Sequence, residues 1–204
     1  MVDERCFPGD GEYRDVYLGE LPEFISKNGS PVLVFGGLLS DVWKTLRVIR
    51  KNNLSIPVVP WHYFGTINGL LNAARLTLHF YLSSNQLKGK AEIDGISLKL
   101  VIQDEIGTNI RSGHVFSSLW IYNSARELAN HIDISAFIFP YENRSWEKML
   151  LKGFTQDGNP VNTVGYHHAA LSPAHTNMLL GKDEAQVLPL PKKIVMTGEI
   201  TKAI

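Results

Sequence analysis

The run Ala136-Phe-Ile-Phe-Pro140 constrains this chain most, because a helical pattern and a second apolar run follow it at short range. Runs this short and this rich in aromatic and branched side chains suit strands buried on both faces. Two such strands separated by a helix lie parallel, since a parallel pair needs a crossover rather than a tight turn. Asn143 is expected to cap the helix, which carries Trp146, Leu150 and Phe154 on one face. Asp157-Gly158-Asn159-Pro160 is a turn, residues 161–166 the next strand and Lys193-Ile-Val-Met196 another. Strand, helix, strand, helix, strand predicts an α/β fold, a Rossmann-like, mostly parallel sheet flanked by helices.

The earlier part repeats this order less regularly. Pro31-Val-Leu-Val-Phe35 predicts a buried strand ending in Gly36-Gly37, followed by a Ser40/Asp41 cap and a stripe at Val42, Leu46 and Ile49. Ile56-Pro-Val-Val-Pro60 is a second strand, with prolines suited to an edge or a strand end. Ile67, Leu71, Ala74, Leu78 and Tyr81 recur at helical spacing, as do Ile121, Ala125, Leu128 and Ile132. Between them, residues 91–110 fit a helix capped by Ser97 better than the strand that Leu98, Leu100 and Ile102 would make by alternation.

Composition excludes several classes. Lys+Arg and Asp+Glu balance at 20 each, so no long-range field draws in nucleic acid. The single cysteine, Cys6, near an N-terminus expected to be mobile, rules out a disulfide framework and points to a reducing cytoplasm. The charged N-terminus is no secretory signal, and the most apolar stretch is interrupted by Asn68, Asn72, Arg75 and His79. No basic amphipathic helix stands out as a membrane anchor.

Ligands of open parallel sheets bind beyond the carboxyl ends of the strands. Three segments qualify: Gly36-Gly37, where missing side chains would admit a substrate or simply make a turn; the loop and helix start from Tyr141 to Glu147; and Tyr166-His167-His168. The last two belong to consecutive strands and are expected to face one cleft. Glu142 is either a cleft carboxylate or a partner of a helix N-terminus, and Arg144 with Glu147 fits an exposed helical ion pair. Neighbouring strand residues point to opposite faces, so one of His167 and His168 reaches the cleft while the other packs in the sheet. His167, His168 and His175 lack a recognised metal-ligand spacing, and no metal is expected. Asp104-Glu105 reads as a solvated face. Neither a dinucleotide fingerprint, a P-loop nor a serine-hydrolase elbow occurs.

Three strings then carry a resemblance: Phe139-Pro-Tyr-Glu-Asn-Arg-Ser-Trp-Glu-Lys-Met149, Val164-Gly-Tyr-His-His-Ala-Ala-Leu-Ser-Pro173 and Leu190-Pro-Lys-Lys-Ile-Val-Met-Thr-Gly-Glu-Ile200. In order and spacing, over roughly the last third of the chain, they resemble bacterial surface-polysaccharide (capsule and O-antigen) glycosyltransferases. Those enzymes are similar to the two-domain GT-B transferases, including ones using CMP-activated Kdo or sialic acid. Arg144-Ser145 stands where the family has a Gln-Pro-like pair, and His167 where Gln is frequent.

The resemblance implies the N-terminal, acceptor half of a GT-B fold. Residues 1–188 would form the Rossmann-like acceptor domain. Residues 189–204 would be the crossing and first strand of a missing C-terminal donor domain, the chain being truncated and inactive alone. It implies Glu142, His167 and His168 as catalytic candidates and Gly36, Gly37, Asn143, Arg144 and Trp146 as substrate contacts. The implied partners are a nucleotide-sugar donor and a glycan or lipid-linked acceptor, at the inner face of the membrane where the acceptor is membrane-attached, with no cofactor. The alternative is a non-catalytic carbohydrate- or nucleotide-binding Rossmann-like module.

Overall fold

Parallel pairing governs the longer strands. In the computed structural model, β5 (Ala136–Pro140) runs parallel to β6 (Asn162–His167), and β6 runs parallel to β7 (Lys193–Met196). A second parallel pair joins β1 (Val34–Gly36) to β2 (Val58–Pro60). The protein is thus α/β, and among the described residues its mostly parallel pairing forms separate ladders rather than one sheet. The structure describes residues 2, 4–7, 13–38, 42–51, 54–84, 92–158, 161–168, 178, 180 and 183–196. The expected Ser40/Asp41 cap, His175 and residues 197–204 lie outside them.

The remaining elements are α1 (Leu21–Lys27), α2 (Val42–Lys51), α3 (Ile67–Ser84), the antiparallel hairpin β3 (Glu92–Ile93) and β4 (Ile96–Ser97), α4 (Lys99–Arg111), α5 (His114–His131), α6 (Ser145–Thr155) and α7 (Glu184–Val187). The chain divides into two compact units. One comprises Met1–Phe64, Ile134–Asn143 and Pro160–Ile204; the other comprises Gly65–Asp133 and Arg144–Asn159. β7 pairs with β6 through Gly165↔Ile194 and His167↔Met196, so the strand expected to open a donor domain belongs to the sheet before it.

The first unit has its core around Val2, Cys6, Phe7, Tyr13 and Val58, with Val34, Leu38, Val48, Ile49 and Leu54 packed against them. Cys6, expected near a mobile terminus, is 0% exposed. Two hydrogen bonds hold described residues there: the Val2 N–H donates to the Gly37 carbonyl at 2.8 Å, and the Arg14 N–H to the Cys6 carbonyl at 2.9 Å. β1 is shorter than its apolar run. Pro31 has no N–H to give a ladder, and pairing begins where Val34 donates to the Pro57 carbonyl.

In the second unit α5 packs against α3, α4 and α6. Ile121, Ala125 and Leu128 of α5 are buried as expected, whereas Ile132 follows the helix end and is 40% exposed. Leu150 and Phe154 of α6 are buried too. α3 departs from expectation: Ile67, Leu71, Ala74, Leu78 and Tyr81 are all exposed. The buried seam instead carries Gly69 and Ala73, flanked by Asn72 and Leu76. Asn123 of α5 donates to the Gly69 carbonyl at 3.3 Å and accepts from Asn72 at 3.3 Å. Small residues let the two backbones approach within reach of an amide side chain, a contact the leucine stripe would have held apart. Residues 91–110 are also divided, the hairpin turning at Asp94 (φ 51) and Gly95 (φ 78) before α4 begins.

Candidate functional site at the carboxyl ends of β5 and β6

The β5–β6 ladder continues one residue beyond Pro140↔Tyr166, where the Tyr141 N–H donates to the Tyr166 carbonyl at 2.9 Å. Glu142 and His168 are therefore the first residues past the paired strands. Tyr141 is 3% exposed and lies over Gly165: a Cβ at that glycine would stand 2.8 Å from the Tyr141 Cβ and 3.2 Å from Pro191. The Tyr141 hydroxyl donates to the Asn143 Oδ1 at 3.2 Å, and Asn143, at φ 56, turns the chain through the left-handed region that Asn tolerates. Glu142 sits between these two buried residues, and its side chain keeps 31% exposure.

The Glu142 carboxylate then meets His168. Oε1 lies 3.9 Å from Nε2, a charge–charge contact when the imidazole is protonated and too long for a direct hydrogen bond. Tyr17 packs its ring edge-on to His168, with centroids 4.8 Å apart. Asp15 fixes that tyrosine. Its Oδ1 accepts the N–H groups of Tyr17 and Leu18 at 2.8 and 2.9 Å, and its Oδ2 accepts the buried Tyr13 hydroxyl at 2.7 Å. Burial, reinforced by the Asp15 charge, pushes the Tyr13 phenol well above the usual tyrosine range, so it stays a donor.

His167 is 4% exposed and His168 partly exposed, as strand alternation predicts. Their rings nonetheless lie 6.5 Å apart at 28°, and Nδ1 of each is buried without a hydrogen bond. Among the described residues no group of three His, Cys, Asp or Glu could hold a metal.

The other expected contacts fall elsewhere. Gly36 ends β1, in a separate ladder, Gly37 follows it, and the Trp61 indole fills the space over Gly37 where a substrate was expected to approach. A Cβ at Gly37 would collide with the six-membered ring of that indole. Arg144 and Trp146 belong to the second unit. Arg144, not Asn143, takes the N-cap position of α6, and its N–H donates to the Glu147 Oε2 at 3.2 Å. Glu147 is 1% exposed, so the carboxylate expected on an exposed face is instead a buried one holding a helix start. Asp104 is largely exposed, as expected.

Tyr17 was not foreseen. The only local signal is Asp15 two residues before it, a turn-forming spacing, and nothing in that spacing points to residue 168. Comparison of the chain with protein-family models, curated proteins and solved structures finds no match.

Proposed function

We propose that the chain is the acceptor-binding half of a GT-B glycosyltransferase acting on a bacterial surface glycan, with a nucleotide sugar as donor. The observation that carries this reading is the Glu142–His168 pair, 3.9 Å apart beyond the carboxyl ends of two parallel strands, where α/β sheets bind ligands. In glycosyl transfer an acceptor hydroxyl attacks the anomeric carbon. The bond to the nucleotide's phosphate oxygen breaks with its electron pair, and the hydroxyl proton passes to a base. Carboxylate and imidazole are the side chains suited to taking that proton. Partial exposure keeps both within reach of an acceptor, and Tyr17 offers a ring face or edge for a sugar to pack on. The family-like strings around these residues supply the substrate class.

The test is transfer from CMP-, UDP- and GDP-sugars to cell-surface glycan acceptors by the protein of the natural reading frame, with Glu142→Gln and His168→Gln variants. On this reading one donor class supports transfer, and loss of the general base lowers kcat/KM by about a hundredfold or more. Retained glycan or nucleotide binding without transfer by any form would instead support a non-catalytic binding module. Full-rate transfer by both variants would remove the pair from catalysis.

A further inference from the structure

Helix α2, which does not stand out from the sequence as a membrane anchor, is in the structure amphipathic with a sharply divided charge. Its ten residues, Val-Trp-Lys-Thr-Leu-Arg-Val-Ile-Arg-Lys, include four cations and no carboxylate, although the whole chain is neutral. Thr45 is 0% exposed, and Val48 and Ile49 pack against the core of the first unit. At 100° per residue the opposite arc gathers Trp43, Lys44, Arg47, Arg50 and Lys51, all exposed. Among the described residues Arg47, Arg50 and Lys51 make no ion pair.

A solvated basic face would account for part of this, and Arg50 and Lys51 also suit the negative end of the helix dipole. It does not account for Trp43, which stands 77% exposed in the middle of the cationic arc. Tryptophan ringed by Arg and Lys is the pairing that favours a bilayer interface, where the indole enters the headgroup–acyl boundary and the cations meet anionic headgroups.

We infer that the outer face of α2 docks on an anionic lipid membrane, through Trp43 and the cations Lys44, Arg47, Arg50 and Lys51. Charge complementarity selects the occupant: Arg47, Arg50 and Lys51, which make no ion pair among the described residues, fit a negative planar surface, and the apolar indole among them fits a bilayer better than a phosphate backbone. The inference is independent of the Glu142–His168 reading.

The test is co-sedimentation of the 204-residue chain with vesicles of equal phosphatidylglycerol and phosphatidylcholine, against phosphatidylcholine alone. Anionic vesicles are expected to bind at least about tenfold better, with most of the difference lost between about 50 and about 500 mM KCl. Arg47→Glu with Arg50→Glu, both outside the core, should reduce binding by about tenfold or more. Trp43→Phe should abolish a blue shift of tryptophan emission that the parent chain shows on anionic vesicles, a readout that does not depend on the charge-reversed protein folding. Equal binding to both vesicle types, unchanged binding by the charge-reversed variant, an unchanged blue shift in Trp43→Phe, or tighter retention on a duplex oligonucleotide than on anionic vesicles would each overturn the inference.

Discussion

Glu142 and His168 meet at 3.9 Å because each is the first residue beyond a hydrogen-bonded parallel pair. Their approach is a product of register. Pro140 stands opposite Tyr166, the Tyr141 amide extends the ladder by one bond, and the next side chains on both strands emerge together at the end of the sheet. Whatever disturbs that register will separate them.

Gly165 is the position to disturb. Glycine inside a strand is ordinarily a weakness, so alanine there would be expected to stabilise. Here a Cβ would press on Tyr141 and Pro191. Gly165→Ala should instead cost about 1–3 kcal/mol, as overpacking does, seen as a lower urea midpoint with an unchanged m-value.

Gly37 and Trp61 form a comparable lock. Gly37→Ala is expected to destabilise by about 1–3 kcal/mol. The same change in a Trp61→Ala background should cost less than about 0.5 kcal/mol, because the colliding indole is gone. A double-mutant cycle read by chemical denaturation measures the coupling directly. Independent effects at the two sites would mean that the indole can move away.

Tyr13 gives a pH dependence with a definite sign. Its phenol is pushed up by burial and by Asp15, above the unfolded value of about 10. The stability linked to it is therefore full below about pH 10 and is lost as pH rises further. In an absorbance titration at the tyrosinate band, the increment missing from Tyr13→Phe should appear together with loss of far-ultraviolet dichroism, not before it. Tyr13→Phe should cost about 1–3 kcal/mol at neutral pH, since it removes a hydrogen bond to a carboxylate.

The α3 seam reverses the ranking that hydrophobicity suggests. Leu71→Lys and Leu78→Lys, at 62% and 59% exposure, should shift stability by less than about 0.5 kcal/mol. Ala73→Leu, at a position 0% exposed, should cost about 1–3 kcal/mol. Thermal melts of the three variants decide between the two faces.

What the sequence conveyed follows the same division. Strands β5, β6 and β7 and the helix between the first two were legible because short apolar runs and a helical stripe are local signals. So was the convergence of residues 141–142 with 166–168, since consecutive parallel strands bring their carboxyl ends together. The buried face of α3 was not legible: periodicity finds leucines, and this helix packs through Gly69 and Ala73 with an amide bridge from Asn123. Glu147 was misread for a related reason, a carboxylate at i+3 being compatible with both an exposed ion pair and a helix cap. Tyr17 depends on a contact more than a hundred residues away in sequence, and the pairing of β7 with β6 was masked by the family-like string that runs through it.

The two units interleave in sequence: the chain leaves the first after Phe64, returns at Ile134, leaves again after Asn143 and returns at Pro160. Neither unit can be excised by a single cut. During synthesis β1 and β2 emerge early, but the ladder holding Glu142 and His168 cannot form until residues of β6 have left the ribosome, with the whole second unit already made. Parallel pairing must wait for its crossover, so β5 stays unpaired until β6 emerges. The practical corollary is that expression as separate fragments should fail where co-translational help, or slow production of the intact chain, succeeds.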